Sequence, residues 1–254
     1  MKGLEDKVAI VTASAGAGIG QGIARSLLEK GATPVITSRT QESTDEVASQ
    51  LSEEYNTEVL GFQLDVTDAD RAQTVVDAVV DHYGRLDVLV NNAGVNQTDR
   101  IHEMDLETWH WIFDINIHGM FYCTRAAILP MLEQGSGTVI NIASIAGWDA
   151  DKVSGNAPYA STKAAVMSFT RSIASDFASD GIRANCIVPG FVANEYLEEI
   201  YDEEYLESLT DDIPLERPGE RQDVGDVACF FASEESRYVT GQSLAVSGGQ
   251  YMQP

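Results

Sequence analysis

Positive charge is scarce in this chain. Sixteen Lys and Arg, only five of them lysine, stand against forty Asp and Glu in 254 residues, a formal net charge of −24. A surface so poor in cations offers no basic patch to nucleic acid or to an anionic membrane, so neither is expected as a partner. Two readings of the acidity compete. One is an ordinary acidic cytoplasmic protein; the other, preferred, is adaptation to high salt, where screening relieves the self-repulsion of the carboxylates. Long apolar runs are missing as well, and "MKGLEDKVAIV" has no apolar leader followed by a cleavage site. The expectation is a soluble, cytoplasmic protein. Cysteine is sparse and odd in number: Cys123, Cys186 and Cys229 are too far apart for a metal pattern or a disulfide framework and read as small core residues. No metal-ligand spacing involves the histidines either, and His102, His110 and His118 read as packing or surface residues.

Apolar residues, by contrast, are plentiful. They make up 44% of the chain, ample for a buried core. Short β-rich runs at 7–11, 33–38, 59–66, 86–94, 137–144, 182–190 and 243–249 alternate with helical patterns near 21–31, 43–56, 68–84, 105–133 and 159–180. Continuous apolar strands separated by helices predict an α/β fold, a doubly wound parallel sheet covered on both faces. No linker or repeat interrupts the order, so residues 1–254 read as a single domain. Ligands of such sheets lie beyond the C-terminal strand ends. The polar clusters fall there: 12–20, Ser38 with Arg39, Asp65, 91–94, Ser144 and 189–194.

In "YASTK" (159–163), Tyr159 and Lys163 stand four apart, on one face of a helix. Alone the pair reads more readily as an exposed aromatic beside a surface lysine. Context decides, because "INIAS" ends in Ser144 at one strand tip and "LVNNAG" supplies a second polar tip. With the Gly-rich turn, Asp65, "NNAG", Asn116 in "DINIHG" and "PGFVAN" in order along the whole chain, the sequence resembles the short-chain dehydrogenases/reductases in their ~250-residue form, a Rossmann-fold family.

The resemblance implies a nicotinamide cofactor and four catalytic residues. Tyr159 would exchange a proton with the substrate oxygen, its phenol (ordinarily pKa ~10) lowered by the Lys163 ammonium. Ser144 would hydrogen-bond the same oxygen. Lys163 would also hold the nicotinamide ribose. Asn116 would hold a relay water, although a satisfied core amide is its competing reading. Cofactor contacts are implied at Thr12, Ser14, Gly18, Ile19, Gly20, Ser38, Arg39, Asp65, Val66, Asn92, Ala93, Gly94, Pro189, Gly190, Val192 and Asn194, besides Tyr159 and Lys163.

This sequence departs from the family pattern in places. The turn "TASAGAGIG" has Ala13 at the first glycine position and one extra residue within 14–17, with Gly16 expected to absorb the insertion at φ > 0. Gly18 and Gly20 keep the close approach and the helix N-terminus that a pyrophosphate needs. At the end of the second strand, Ser38 occupies the place of the acid that repels a 2′-phosphate, and Arg39 follows it. That favours NADP(H) over NAD(H), the competing reading being an arginine lying on adenine. Asn194 replaces a common threonine, and the loop between Ser144 and Tyr159 is long.

A substrate lid is expected at 194–214. Its tyrosines, with Asn96, Trp148 and Tyr196, suggest a polar sugar- or polyol-type substrate, although lid acids can simply face solvent. The competing activity is reduction of a 3-oxoacyl thioester or a small ketone. The stretches "AAILPMLEQ" and "SIASDFASD" lack the cations that an acidic carrier protein would seek. A non-catalytic dinucleotide sensor is the remote alternative. A homotetramer joined through helices near 105–133 and 159–180 is implied, the second presenting Ala160, Ala164 and Ser168.

Overall fold

The computed structural model of the protein describes residues 1–150, 154–193 and 208–252. Seven strands form one parallel sheet in the order β3-β2-β1-β4-β5-β6-β7. They are β1 (Val8–Val11), β2 (Thr33–Ser38), β3 (Gly61–Gln63), β4 (Val88–Asn91), β5 (Gly137–Ile142), β6 (Ile182–Pro189) and β7 (Ser243–Val246). Each lies within the β-rich run that predicts it. The expected α/β sheet is therefore what forms.

Strand side chains alternate between two buried layers, as a period of two requires. Val8, Ile10, Leu89 and Val139 face one layer with α3 (Ala69–Tyr83), α5 (Met120–Gln134) and α6 (Ala157–Phe177). Ala9, Val11, Val88, Val90 and Ile140 face the other, with α1 (Ile19–Glu29) and a helix spanning Arg221–Ala232, α7. A third cluster seats α2 (Gln41–Tyr55) against Ile36. All three cysteines are buried, as expected.

Two helical expectations need correction. The tract near 105–133 is not one helix: α4 (Leu106–Phe113) and α5 are joined by a π-helical turn, Asp114–Gly119. Such turns interrupt the i→i−4 ladder and occur often at functional sites. Helix α7 was not anticipated, although a capping box marks its start, with Glu220 and Asp223 bonding each other's backbone amides. It packs closely on α1: a Cβ on Gly22 would lie 2.4 Å from the Arg221 side chain, and one on Gly225 would collide with Ser26. Strand order reverses between β1 and β4, so the crevice beyond their C-terminal ends is the place for a ligand.

Candidate active site

The turn after β1 is tied down from both neighbours. The Thr12 hydroxyl accepts from the amides of Asn92 and Ala93 (2.8 and 2.9 Å), fixing the tip of β4. The Ser14 hydroxyl donates to the Val11 carbonyl (2.8 Å) and accepts from the Thr37 amide (3.1 Å), fixing β2. Both residues are fully buried, so they shape the turn rather than face the crevice. The residue with positive φ is Ala13 (φ 53°), not Gly16. The backbone bends where the family glycine would stand, and the insertion follows without a left-handed glycine.

Gly16 and Gly18 have nothing within 4 Å of the Cβ each lacks, so the bare backbone there borders open space. Helix α1 begins at Ile19, immediately after Gly18, and has no side-chain cap. Its first amides and positive dipole end are left for an anion. Gly20 is needed for a different reason, since a Cβ there would lie 2.6 Å from the Ala13 carbonyl oxygen. One contributor was missed in the sequence: Arg221, from α7, donates to the Ala17 carbonyl (2.7 Å) and so holds the middle of the turn. Its distance of two hundred residues left no local signal.

Beside the turn, a cavity of about 470 Å³ is lined by Gly16, Ser38, Arg39, Asp65, Val66 and Gly94, with Trp111 and Asp114 closing its far side. The last two carried no sequence signal for this role. Arg39 is exposed and its guanidinium has no partner among the described residues. The Ser38 hydroxyl lies in a hydroxyl cluster with Ser43, which in turn bonds Thr40 (2.7 Å). The Asp65 carboxylate is engaged by Thr67, through its amide (2.9 Å) and hydroxyl (2.7 Å). Open glycine backbone, a free helix N-terminus and an adjoining cavity fit a dinucleotide.

Deeper in the crevice the four expected catalytic residues converge. Ser144 stands just beyond β5 and caps a short 3₁₀ turn, its hydroxyl accepting from the Ala146 amide (3.2 Å). Tyr159 and Lys163 project from α6, one helical turn apart. The ammonium lies 5.4 Å from the Tyr159 ring centroid and donates to the Ile142 carbonyl (2.9 Å). It is 4% exposed. Burial pulls the Lys163 amine down to about 8, against a weaker opposing effect of the neighbouring Cys186 thiol.

The expected lowering of the Tyr159 phenol by Lys163 is not what this geometry produces. Burial pushes the phenol above its ordinary value, and the hydrogen bond with Ser144 is the opposing, lowering influence. The ammonium is turned to a backbone carbonyl and lies over the ring face.

Asn116 sits in the π-helical turn and is buried. Its carboxamide oxygen accepts from the Val95 amide (2.8 Å), and its nitrogen donates to the Val95 carbonyl and the Thr162 hydroxyl (both 3.0 Å). The satisfied-amide reading therefore describes the side chain; only one lone pair of its oxygen is left for a relay water. Its position remains central, because a Cβ on Gly94 would sit 3.2 Å from Lys163 Nζ and 3.5 Å from Asn116 Oδ1. The bare backbone at Gly94 is what lets β4's extension pass between them.

On the substrate side, Pro189 ends β6, and a Cβ on Gly190 would collide with Gln250. Val192 is buried and pairs with Gly219 in an isolated bridge. Trp148 stacks on Tyr251 of the C-terminal tail (centroids 4.9 Å, 21°), a partner the sequence did not indicate. Asn96 is exposed. Asn194, Tyr196 and most of the expected lid lie outside the described residues, as does Lys152.

Comparison with known proteins agrees with this arrangement. A family model described as enoyl-(acyl carrier protein) reductase matches residues 13–250. A 3-oxoacyl-[acyl-carrier-protein] reductase FabG of Staphylococcus aureus is 36% identical over 247 residues, 97% of this chain and 98% of that protein. One of Vibrio cholerae is 35% identical over 250 residues, 98% and 99% of the two chains. A gluconate 5-dehydrogenase of Burkholderia cenocepacia, solved in complex with NADP and tartrate, superimposes with a TM-score of 0.90 at 31% identity, covering 98% of this chain and 96% of that one.

Proposed function

The chain belongs to the short-chain dehydrogenase/reductase family, and we propose that it is an NADP(H)-dependent oxidoreductase acting on a polar sugar- or polyol-type substrate. The reaction would interconvert a secondary alcohol and a ketone, or a sugar hemiacetal and a lactone. Bound nicotinamide supplies or accepts the hydride. Tyr159 donates a proton to the substrate oxygen in reduction and removes it in oxidation, and Ser144 holds that oxygen by a hydrogen bond. Lys163 would orient the cofactor ribose and pass protons outward past Asn116. The first turn of α1 with Gly18, Ile19 and Gly20 would hold the pyrophosphate. Asp65 and Val66 would contact the adenine and Asn92, Ala93 and Gly94 the ribose side, while Pro189, Gly190 and Val192, with Asn194 in the following segment outside the described residues, would serve the nicotinamide end.

The observation that carries the cofactor choice is Arg39, whose guanidinium has no partner among the described residues and which lines the cavity with Ser38. A guanidinium pairs well with a 2′-phosphate, and serine does not repel one. The NADP in the gluconate dehydrogenase complex is consistent with this choice, and its tartrate, a polyhydroxy acid, with the polar substrate. A second reading, 3-oxoacyl thioester reduction, is favoured by the names of the FabG relatives. Against carrier-protein docking stand the acidic surface and the cation-poor ends of α5 and α6, although Arg125 and Arg171 stand exposed earlier on the same helices.

The test is a substrate screen with NADP(H) and NAD(H) across aldoses, polyols, small ketones and 3-oxoacyl thioesters, at low and molar salt. Polyol or sugar turnover with NADP⁺, falling roughly 10-fold or more in kcat/KM in Arg39→Ala, supports the reading. A preference for NAD(H) overturns the Arg39 argument. Turnover of thioesters alone selects the second reading.

We also propose a cytoplasmic homotetramer, supported by exposed Phe121, Leu129 and Leu132 on α5. On α6 the small outward residues are Ala164 and Ser168; Ala160 is buried within the chain.

A further inference from the structure

We infer that the underside of the sheet, opposite the nucleotide crevice, holds a small inorganic anion. At the N-terminal strand ends a cavity of about 140 Å³ is lined by Lys7, Asp87, Ser136, Arg183, Glu234 and Arg237, among others. It has room for about four waters, or for one chloride or phosphate with water around it.

Cations outnumber carboxylates there, in a chain that has few cations to place. Three of the sixteen Lys and Arg line the cavity, and a fourth, Arg85, adjoins it. Asp87 is committed elsewhere: it is nearly fully buried, takes a two-pronged bond from Arg85 (2.6 Å each) and accepts from the Val8 amide (3.0 Å). Glu234 is the remaining carboxylate on the wall.

Of these four, Arg85 alone has an ion-pair partner among the described residues; Lys7, Arg183 and Arg237 have none. Arg183 donates to Ser236, Thr138 and the carbonyls of Phe231, Ser233 and Val239, every one a neutral acceptor. The Lys7 ammonium makes no hydrogen bond among the described residues, its backbone alone bonding Leu4 and Thr33. Burial and the positive charges of Arg183 and Arg85 weaken its hold on its proton, against the pull of Asp87 and Glu234. Arg237 has a single long bond, to the Glu234 carbonyl (3.4 Å). The Lys7 ammonium, the Arg237 guanidinium and the exposed Ser136 hydroxyl thus supply free donors around a partly desolvated positive space. An anion there completes the neutralisation that the chain leaves unfinished.

The experiment is thermal unfolding of the full-length protein at constant ionic strength, replacing sodium isethionate by sodium chloride or by phosphate, together with bromide-soaked crystals. A site filled well above its Kd raises Tm by about 3 °C. The ion that produces the rise at the lower concentration identifies the occupant. Lys7→Met and Arg237→Gln should each remove most of the rise while Arg39→Ala keeps it, and anomalous bromide density should lie against Lys7. A rise that survives in Arg237→Gln and vanishes in Arg39→Ala would place the anion at the nucleotide turn and overturn the inference. Absence of a rise with either ion, or a chloride-induced rise without bromide density in the cavity, overturns it too.

Discussion

The side-chain amide of Asn92 donates to the carbonyl oxygens of both Thr12 and Ala13, at 2.9 and 3.2 Å. The tip of β4 thereby grips the turn after β1 and holds Ala13 at φ 53°. An alanine in this region carries roughly 1 kcal/mol of strain that a glycine would not. The conformation persists because Asn92 bonds Ala13 itself, while the Thr12 and Ser14 hydroxyls anchor the residues on either side of it.

Ala13→Gly should therefore stabilise the protein by about 0.5–1 kcal/mol, raising Tm by about 2 °C, with little change in kcat. Thermal unfolding decides this, and a fall in Tm would show that the bonds, not the residue, set the local energy. Gly20→Ala should do the opposite, because its methyl would meet the Ala13 carbonyl and the Asn92 amide.

Arg221→Met removes the donor to the Ala17 carbonyl while leaving the catalytic residues untouched. The expected result is a several-fold rise in cofactor Kd and KM with kcat within about two-fold, the pattern of lost ground-state binding. Equal losses in kcat and kcat/KM would mean that the arginine acts on the chemistry.

Lys163 is buried with its amine lowered to about 8, below the ordinary 10.5. Between those values the unfolded chain binds the extra proton and the folded chain does not, so this residue's contribution to stability rises with pH from about 8 to 10. The full slope is on the order of 1 kcal/mol per pH unit. Urea unfolding of the parent and Lys163→Met should diverge across this window in the cofactor-free protein. Parallel curves would contradict the burial of the charged amine.

Tyr159→Phe should lower kcat by ~10²–10⁴, and Ser144→Ala by about 10², with cofactor Kd unchanged in Ser144→Ala. Because burial raises the Tyr159 phenol, alcohol oxidation should climb into the alkaline range while carbonyl reduction does not. A pH-independent oxidation rate, with chemistry limiting, would remove Tyr159 as the base.

Much of this was legible in the chain. The seven strands are short apolar runs bounded by turns, and the sheet that buries them on both faces follows from that pattern alone. Tyr159 and Lys163 share a face through helical spacing, and Ser144 ends a strand, so local rules place all three at one end of the sheet. The π-helical turn was not legible, because "DINIHG" has ordinary helical composition and the turn goes with tertiary contacts: Gly119 leaves no room for a Cβ against Val66, and Asn116 bonds Val95.

By itself the sequence determined what depends on neighbours along the chain: strands, helices, the glycine-rich turn, and the family pattern of chemically distinct side chains. Tertiary structure alone decided the rest. It chose Ala13 over Gly16 for the left-handed bend, brought Arg221 across two hundred residues to Ala17, and turned the Lys163 ammonium to the Ile142 carbonyl. The reason is physical: hydrogen bonds and desolvation depend on distance in space, which chain spacing specifies only within a helix or strand.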